Sequence, residues 1–539
     1  MSSNQRGHLF GGFLTDDDVA TVQRHLSKKH RLAMVFDGAL IGLAGGCVVT
    51  LYRLALSNAE VLLHKAIETA GQSPIGIAGW FCVLALILVT VSALMMWEPY
   101  TVSSGIPQTE AEVAGQLDMP WHRVMFAKFA EGTLCTFAGL SLGREGPSVQ
   151  LGGMAGKAVA KLLHKDRGDE RVLVTCGAAS GMAAAFHAPL TGVMFALEEI
   201  HKIFSAPVIV GVMMASIISD CFVSQVLGVR PTISFMFLKN LPHVQYLFVV
   251  LMGVALGVLG ALHNQGMFKA QEAFSHIRRG GPFVRLLIPF ALAGVVAYSF
   301  PQLLCGGDGI IEVVRNSSAK SLAFLVILLI AKYVFTTICF GSGAPGGTLL
   351  PLVVMGALSG CIFGNVFSIC FGINQAFLTN FIVLGIAGLF ASVVRAPITG
   401  IVLVFELTGS LDSLLSASIV TMAAYVTADL IGIEPFYERL LAKLLCNTGE
   451  DAKASSRMPE KILHEHVVEA GSTADGSMIR DIPWPDNCLV VTVVRSGAEF
   501  VPTGEMQLQA LDRLIIIMNE SNESDSEKGI RRVCRGTVI

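Results

Sequence analysis

Residues 143–147 read Gly143-Arg144-Glu145-Gly146-Pro147, a charged turn between glycines that interrupts a long apolar region. Ionisable residues inside a membrane segment are costly and mark ion or proton pathways. Pro147 suits the first turn of a helix, and a helix N-terminus attracts anions through its free N–H groups and partial positive charge. Glu145 places a carboxylate where an anion would also bind. The stretch therefore predicts an anion site gated by a glutamate.

The composition is that of a membrane protein. Of the 539 residues, 53% are hydrophobic and 15% are charged, whereas soluble domains average about 25% charged residues. Runs such as Ile75–Trp97, Tyr246–Leu262 and Ser321–Phe340 approach or exceed the roughly 20 residues that span a bilayer. Other apolar runs are interrupted by glycine, proline or an ionisable residue, which a membrane tolerates only where the backbone is buried in protein or lines a cavity. These features predict an all-α polytopic membrane protein with broken helices, either a transporter or a channel.

The charge distribution predicts the orientation. The basic stretch Arg24–Arg31 precedes the first apolar run, and the positive-inside tendency places that end in the cytoplasm. Residues 1–31 are predicted to be a cytoplasmic N-terminal segment without a cleavable signal peptide. The twelve cysteines form no C-x-x-C pair, so they are interpreted as small buried hydrophobic residues and not as a disulfide framework or a metal site.

An internal repeat divides the membrane region. Ala188-Pro189-Leu190-Thr191-Gly192 recurs as Ala396-Pro397-Ile398-Thr399-Gly400, and each copy precedes an acid, Glu198 or Glu406, at the same distance from its proline. Gly105-Ile106 has a counterpart in Gly309-Ile310 at nearly the same spacing. Two repeated halves with broken helices are typical of transporters. We expect halves at about 32–240 and 245–446, and the alternative is a coincidence of small-residue helix packing.

Four segments have groups that could contact an anion. Beside the Glu145 turn, they are Ser103-Ser104-Gly105-Ile106-Pro107, the glycine-rich Gly341–Pro351, and Tyr437 after the last apolar run. Each has an ordinary structural reading, as a turn, a loop or an interfacial tyrosine. The glycine-rich loop lacks the Lys-Ser/Thr ending of a nucleotide-binding P-loop. Taken together, the four segments favour anion coordination.

These motifs, in this order over residues 30–445, resemble the CLC family of chloride channels and proton-coupled chloride transporters. The resemblance implies an inverted repeat and a homodimer with one anion pathway in each subunit. It implies that Ser104 and Tyr437 hold a central chloride ion by their hydroxyls, with backbone amides of Thr348 and Leu349 donating to it. Glu145 would be the external gating glutamate that also carries the proton, and Glu199 the internal proton-transfer glutamate.

The chain departs from the family pattern at two places. Ser103 replaces a common glycine, and Leu349 replaces a common phenylalanine. Both substitutions bear on gating and affinity more than on ion identity. The chain keeps the Gly-Arg-Glu-Gly-Pro turn and the tyrosine, from which fluoride-selective relatives depart.

The C-terminal region has a different character. Residues 447–459 are polar and predict a linker, and 460–521 contain short β-rich runs at Leu489–Val494 and Leu514–Met518. This small α/β cytosolic domain resembles the TrkA-C (RCK-C) regulatory domain of potassium transport systems. The resemblance rests on Ala470-Gly471-Ser472, Gly476, Arg495-Ser496-Gly497, Val501-Pro502 and Leu511-Asp512-Arg513-Leu514. It implies dimerisation and a regulatory ligand such as cyclic di-AMP, while the polar tail 522–539 is predicted to be disordered.

The favoured function is chloride/proton antiport across the plasma membrane, with both termini cytoplasmic and the C-terminal domain regulatory. A passive voltage- or ligand-gated chloride channel is the alternative, against which Glu199 argues. A cation transporter would need a filter signature that the sequence lacks, and no arrangement of catalytic residues or metal ligands indicates an enzyme. No cofactor beyond the transported chloride, no metal and no nucleic-acid partner is expected.

Overall fold

The structure is a computed structural model of the full chain. It describes residues 16–202, 204–228, 235, 237, 238, 241–277, 280–315, 321–447, 461–485, 488–495, 498–519 and 523–534. For residues 16–31, 447, 461–465, 519 and 523–528 only the backbone is described. Most of the predicted linker 447–459 and the first fifteen residues lie outside these ranges. The chain divides into two compact units, Met1–Ala442 and Lys443–Ile539.

The first unit is helical. In chain order its helices are α1 Asp16–Ala70, α2 Pro74–Trp97, α3 Ile106–Val113, α4 Trp121–Phe137, α5 Glu145–Leu162, α6 Arg167–Phe186, α7 Pro189–Phe195, α8 Ala206–Leu227, α9 Tyr246–Ser275, α10 Gly281–Ser299, α11 Asp308–Arg315, α12 Leu322–Gly341, α13 Leu349–Phe371, α14 Leu378–Val394, α15 Pro397–Thr408, α16 Ser413–Leu430 and α17 Phe436–Asn447. Proline stands at the first or second position of several of them, where its missing N–H costs nothing. The expectation of a polytopic helical protein is confirmed.

Long helices are mixed with short ones in this unit. Within the described residues, nine helices are long and apolar enough to cross a membrane. Others are far shorter: α3 has eight residues, α7 has seven and α15 has twelve. The short helices match the prediction of broken helices. They begin or end near the motifs singled out in the sequence, so their termini are available to those motifs.

Reciprocal contacts join the two repeat copies. The carboxylate of Glu198, just after α7, accepts hydrogen bonds from the N–H of Ile398 at 3.2 Å and of Thr399 at 2.8 Å, in the first turn of α15. The carboxylate of Glu406, near the end of α15, accepts from the N–H of Leu190 at 2.8 Å and of Thr191 at 2.7 Å, in the first turn of α7. Each acid thereby caps the opposite helix.

This exchange fixes the direction of the two helices. The end of α7 lies at the start of α15, and the end of α15 lies at the start of α7, so the two helices are antiparallel. Each copy accepts hydrogen bonds from the other copy through its acid and donates hydrogen bonds to the other copy from its first helical turn. Such reciprocal contacts are expected where two copies are related by a two-fold axis. The arrangement is the one expected of an inverted repeat, and small-residue packing alone would not produce the paired caps.

Glycines allow the same helix pair in each half to approach closely. In the first half α5 packs on α6, and a Cβ at Gly152 would lie 2.9 Å from the Cα of Gly181. In the second half α13 packs on α14, and a Cβ at Gly356 would lie 2.8 Å from the Cα of Ile386. The hydrophobic effect does not drive helices together in lipid, so their association depends on van der Waals packing. The close approach at these glycines provides that packing in both pairs.

The second unit contains a four-stranded sheet. Its strands are β1 Lys461–Val467, β2 Leu489–Arg495, β3 Ala498–Phe500 and β4 Arg513–Asn519, in the antiparallel order β1-β4-β2-β3. Both predicted β-rich runs are strands. Alternate residues of β4, Leu514, Ile516 and Met518, point into a core that Val490 and Val493 share.

The prediction of a disordered tail at 522–539 is wrong for most of its length. Residues Glu523–Cys534 form helix α18, and its Ile530 and Val533 are buried in the core of the second unit. The segment is mostly polar, but Ile530 and Val533 are three residues apart and therefore lie on one face of the helix. This face packs against the sheet. The last five residues lie outside the described ranges.

Candidate anion and proton site

Helices α5 and α13 begin opposite each other at the centre of the first unit. The backbones of Gly143 and Gly347 exchange two hydrogen bonds, of 2.6 Å and 2.8 Å, immediately before these helices start. A Cβ at Gly347 would lie 2.9 Å from the amide nitrogen of Gly146. Only glycine permits this approach, which brings helix N-termini from both repeat halves to one place.

The serine segment is tied to the same place. The N–H of Ser103 donates to the carbonyl of Gly343 at 3.2 Å, and the N–H of Gly346 donates to the carbonyl of Ser103 at 3.0 Å. Ser103 has a φ of 63° and Gly105 one of 92°, so the chain makes a sharp turn around Ser104. Three of the four predicted segments therefore share one backbone network.

The Glu145 side chain is fully buried in this network. Its Oε2 accepts a hydrogen bond from the N–H of Leu350, in the first turn of α13, at 3.1 Å. Its Oε1 is 3.9 Å from Nε of Arg144 and has no hydrogen-bond partner among the described residues. The carboxylate thus lies at the N-terminus of a helix from the other half, which is a position suited to any small anion.

Two hydroxyls face the same region without a protein partner. Ser104 and Tyr437 are both fully buried, and neither side-chain oxygen has a hydrogen-bond partner within the described part of the chain. The hydroxyls of Ser104 and Thr348 lie near the Tyr437 hydroxyl without forming a hydrogen bond with it. A buried hydroxyl without a partner is costly and needs an explanation such as a ligand. Leu349, the remaining predicted contact, is the first residue of α13.

Tyr437 is held in place by aromatic neighbours. Its ring meets that of Phe195 edge to face at a centroid distance of 6.4 Å, and that of Phe436 at 5.3 Å. Edge-to-face contacts of this kind fix a ring without using its hydroxyl. The hydroxyl is therefore oriented but left free to donate.

Glu199 lies in a π-helical segment, Ala196–His201, directly after α7. Such segments insert one residue into a helical turn and are frequent at functional sites. The two consecutive acids differ in their surroundings: Glu198 caps α15, whereas Glu199 has Glu110, Lys202 and Glu438 among its charged neighbours. Glu199 is 5% exposed, and its Oε1 finds no partner in the described residues.

Comparison with known proteins identifies the family. Residues 86–429 match the family described as "Voltage gated chloride channel", and residues 463–527 match the TrkA-C domain. The chain belongs to the CLC family of voltage-gated chloride channels. The H(+)/Cl(−) exchange transporter ClcA of Vibrio cholerae serotype O1 is 32% identical over 436 residues, covering 79% of this chain and 93% of that protein. ClcA of Citrobacter koseri is 30% identical, covering 81% and 94%.

Solved structures of CLC proteins share the architecture. A slow cyanobacterial Cl−/H+ antiporter superposes with a TM-score of 0.74 at 26% identity, covering 77% of this chain and 99% of that one. A CLC-type fluoride/proton antiporter superposes with a TM-score of 0.62 at 21% identity, covering 75% and 97%. At that identity the second likeness concerns the fold alone.

The structure of this CLC protein also has charged residues near the site that the sequence analysis overlooked. Lys128 of α4 is fully buried and donates to the carbonyls of Thr101 at 2.8 Å and Ser103 at 2.7 Å, so it shapes the turn before Ser104. Its repeat counterpart Lys332 donates to the carbonyls of Leu303 and Cys305, both at 2.9 Å. The recurrence of a lysine inside an apolar run was the signal available in the sequence.

One group of carboxylates has the spacing of a metal site. Among the described residues, Glu112, Asp118 and Glu170 lie close enough together to hold an ion. The ammonium of Lys157, however, is in contact with Glu112, lies 2.5 Å from Asp118 and 4.0 Å from Glu170. The ammonium of a buried lysine already occupies the position between these carboxylates. The group therefore ties α5 to the end of α3.

Proposed function

We propose that this CLC protein exchanges chloride for protons across the plasma membrane. The observation that carries the proposal is the position of the Glu145 carboxylate at the N-terminus of α13, near the buried hydroxyls of Ser104 and Tyr437, which have no hydrogen-bond partner in the described part of the chain. The named relatives are H(+)/Cl(−) exchange transporters, and they match over most of this chain.

The mechanism follows from competition for one place. When Glu145 is ionised, its carboxylate takes the α13 N-terminus, and chloride cannot bind there. When Glu145 is protonated, it has no charge to hold it, so chloride replaces it and receives hydrogen bonds from Ser104, Tyr437 and the amides of Thr348 and Leu349. Chloride binding and proton binding are thereby linked at a single carboxyl group.

Glu199 supplies the other end of the proton route. It is a buried carboxyl group with one oxygen that has no partner among the described residues, and Glu438 of α17 is one of its charged neighbours. An exchanger needs a site that passes protons between Glu145 and the cytoplasm, whereas a passive channel does not. This feature favours an exchanger over a voltage- or ligand-gated chloride channel.

The test is ion flux in proteoliposomes. The purified full-length protein is reconstituted with a chloride gradient, and chloride and pH electrodes follow both ions. Exchange predicts that chloride leaving the vesicles drives protons in the opposite direction against their own gradient. Chloride flux without proton movement would instead establish the channel.

The TrkA-C domain is proposed to regulate transport. A ligand shifts flux only if it binds two conformations with different affinity, and a homodimer would bring two such domains together. By family resemblance we propose a cyclic dinucleotide, cyclic di-AMP, as the ligand. Cyclic di-AMP is expected to bind the full-length protein and change chloride flux, and deletion of Pro459–Ile539 is expected to leave a dimer that moves chloride without responding. If the truncated protein neither assembles nor transports, the domain is structural.

A further inference from the structure

Lys202 connects three of the elements that form the candidate site. Its ammonium lies 2.6 Å from Oε1 of Glu110 and 3.5 Å from Oε1 of Glu438. Glu110 is on α3, which starts two residues after Ser104, and Glu438 directly follows Tyr437 on α17. Lys202 itself directly follows the π-helical segment that carries Glu199.

The backbone directs this side chain. Lys202 has a φ of 56°, a left-handed conformation that is uncommon for a residue with a side chain. Such a residue persists only where its surroundings fix it, and these positions cluster at functional sites. Here the turn ends the π-helical segment and points the ammonium to the two carboxylates.

The acids around Lys202 have different surroundings. Glu110 is 4% exposed, and its Oε2 has no partner in the part of the chain that the structure describes, as is also true of Oε1 of Glu199. The Glu438 side chain is 56% exposed. The three acids therefore lead from a buried carboxyl group, through a second buried one, to solvent.

Other titratable groups near Glu199 are already engaged. Both oxygens of Glu198 accept hydrogen bonds from the first turn of α15. The Nδ1 of His201 is hydrogen-bonded to the hydroxyl of Thr175 at 3.0 Å. Tyr437 is a phenol and does not exchange its proton readily near neutral pH. Within the described residues, Glu110 is the buried carboxylate neighbour of Glu199 that has an oxygen without a partner.

We propose that Lys202 is a positioning residue for proton transfer, which keeps Glu110 ionised and beside Glu199 so that Glu110 passes protons between Glu199 and the solvent at Glu438. This inference rests on the proposed exchange function. A proton leaves the carboxyl group of Glu199 for the carboxylate of Glu110 and then goes to water, and the reverse sequence delivers one. Without a nearby cation, a buried carboxylate is too costly and takes up a proton permanently. Glu110 would then no longer accept one.

The test compares three variants of the full-length protein in proteoliposomes. Lys202→Met removes the charge but keeps the length of the side chain and the Cβ at the left-handed position. Lys202→Arg restores a cation. Lys165→Met is the matched control, because Lys165 pairs with Asp37 at 2.5 Å elsewhere in the membrane unit.

The expected result is specific to protons. Lys202→Met is expected to lower the number of protons moved per chloride by about fivefold, with chloride flux retained. This factor corresponds to the upper end of the interaction energies of partly exposed ion pairs. Lys202→Arg and Lys165→Met are expected to keep the wild-type ratio. Glu438→Gln, which removes only the exposed partner, is expected to lower the ratio by about twofold.

Each alternative outcome is distinguishable. If the wild-type protein moves no protons, the proposed exchange function fails, and this inference fails with it. If the wild type exchanges protons and both Lys202→Met and Glu438→Gln keep its ratio, only the inference is overturned. If Lys202→Met lowers both fluxes and the thermal stability together, and arginine does not restore them, Lys202 is merely structural.

Discussion

The two repeated halves of the membrane unit share a scaffold. Each half buries a lysine that donates to two backbone carbonyls, Lys128 in the first and Lys332 in the second. Each half places an acid on the first helical turn of the other. Gly143 and Gly347 are joined by a reciprocal pair of hydrogen bonds. What the halves have in common is structural, because these contacts satisfy buried polar groups and helix ends.

The same halves differ in the residues that carry chemistry. Glu145 of the first half corresponds to Leu349 of the second, two residues after the paired glycines, and Glu199 corresponds to Leu407, one residue after the capping acids. The carboxyl groups proposed to carry protons therefore occur in one half only. The contacts shared by both halves are structural, and the side chains proposed to carry protons are departures from that symmetry.

The largest effect should come from the asymmetric carboxylate at the centre. Glu145→Gln keeps the shape of the side chain but cannot ionise, so proton movement is expected to fall to background while chloride still passes. Proteoliposomes monitored with pH and chloride electrodes measure both. Proton uptake at the wild-type rate in this variant would remove Glu145 from the coupling mechanism.

The second asymmetric carboxylate should affect only one ion. Glu199→Gln is expected to abolish proton transport and to retain chloride movement, because the amide keeps the size of the side chain but cannot take up or release a proton. The same assay applies, with Glu198→Gln as the neighbouring comparison. Loss of both ion fluxes in a folded Glu199→Gln protein would contradict separate pathways.

Removal of the anion-facing hydroxyls tests chloride binding. Tyr437→Phe and Ser104→Ala each delete one buried donor, and a hydrogen bond to a charged group is worth enough to weaken chloride binding by about tenfold. Calorimetric titration of the purified protein with chloride measures the change. Tyr246→Phe, at the start of α9, is the control. Unchanged affinity in both site variants would exclude these hydroxyls from the site.

The shared scaffold predicts a matched pair of smaller effects. The Thr191 hydroxyl donates to Glu406 at 2.6 Å, and the Thr399 hydroxyl donates to Glu198 at 2.7 Å. Thr191→Val and Thr399→Val are each expected to lower the free energy of unfolding by about 1 kcal/mol. Thermal unfolding in detergent measures both. A large difference between the two would show that the halves are not equivalent in stability.

The smallest effect concerns the second unit. Burial of Asp512 favours its neutral form, but hydrogen bonds from Arg495, both at 2.7 Å, and from the N–H of Gln509 at 2.8 Å outweigh this and lower the pKa of Asp512. A lowered carboxyl pKa stabilises the fold above the unfolded value of about 4, and this stabilisation is lost as the pH falls through the folded pKa.

Hydrogen exchange of the β4 amides in the full-length protein, corrected for intrinsic rates, measures this loss. Protection is expected to decrease below about pH 4. Arg495→Met is expected to lower protection already at neutral pH and to flatten the acid dependence. An acid dependence that is identical in this variant would assign the effect to other groups.

The sequence predicted the symmetric parts well because they repeat. The Ala-Pro elements with Glu198 and Glu406 keep their spacing, and in the structure these acids contact each other's repeat. The gathering of Ser104, Glu145 and Tyr437 was predictable only through family resemblance. Nothing in their spacing shows that residues up to several hundred positions apart lie in one region of the fold.

The overlooked residues depend on local geometry. The proximity of Lys202 to Glu110 follows from a π-helical turn and a left-handed residue, neither of which hydrophobic periodicity reveals. Helix α18 was missed for a similar reason. Its polar composition predicted disorder. The apolar residues Ile530 and Val533 stabilise the helix only because they pack in the core of the second unit, and that contact is not visible in the sequence.

The crossed caps cannot form until both halves of the membrane unit have been synthesised. The Glu198 carboxylate receives its donors from Thr399, which the ribosome adds about two hundred residues later. At about 5–20 residues per second, that delay is roughly 10–40 s. For this period the first half sits in the bilayer with an acid that lacks its partner and a helix start, at Thr191, that lacks its cap. We therefore expect the newly made first half to be less stable than the finished unit until the second half is present.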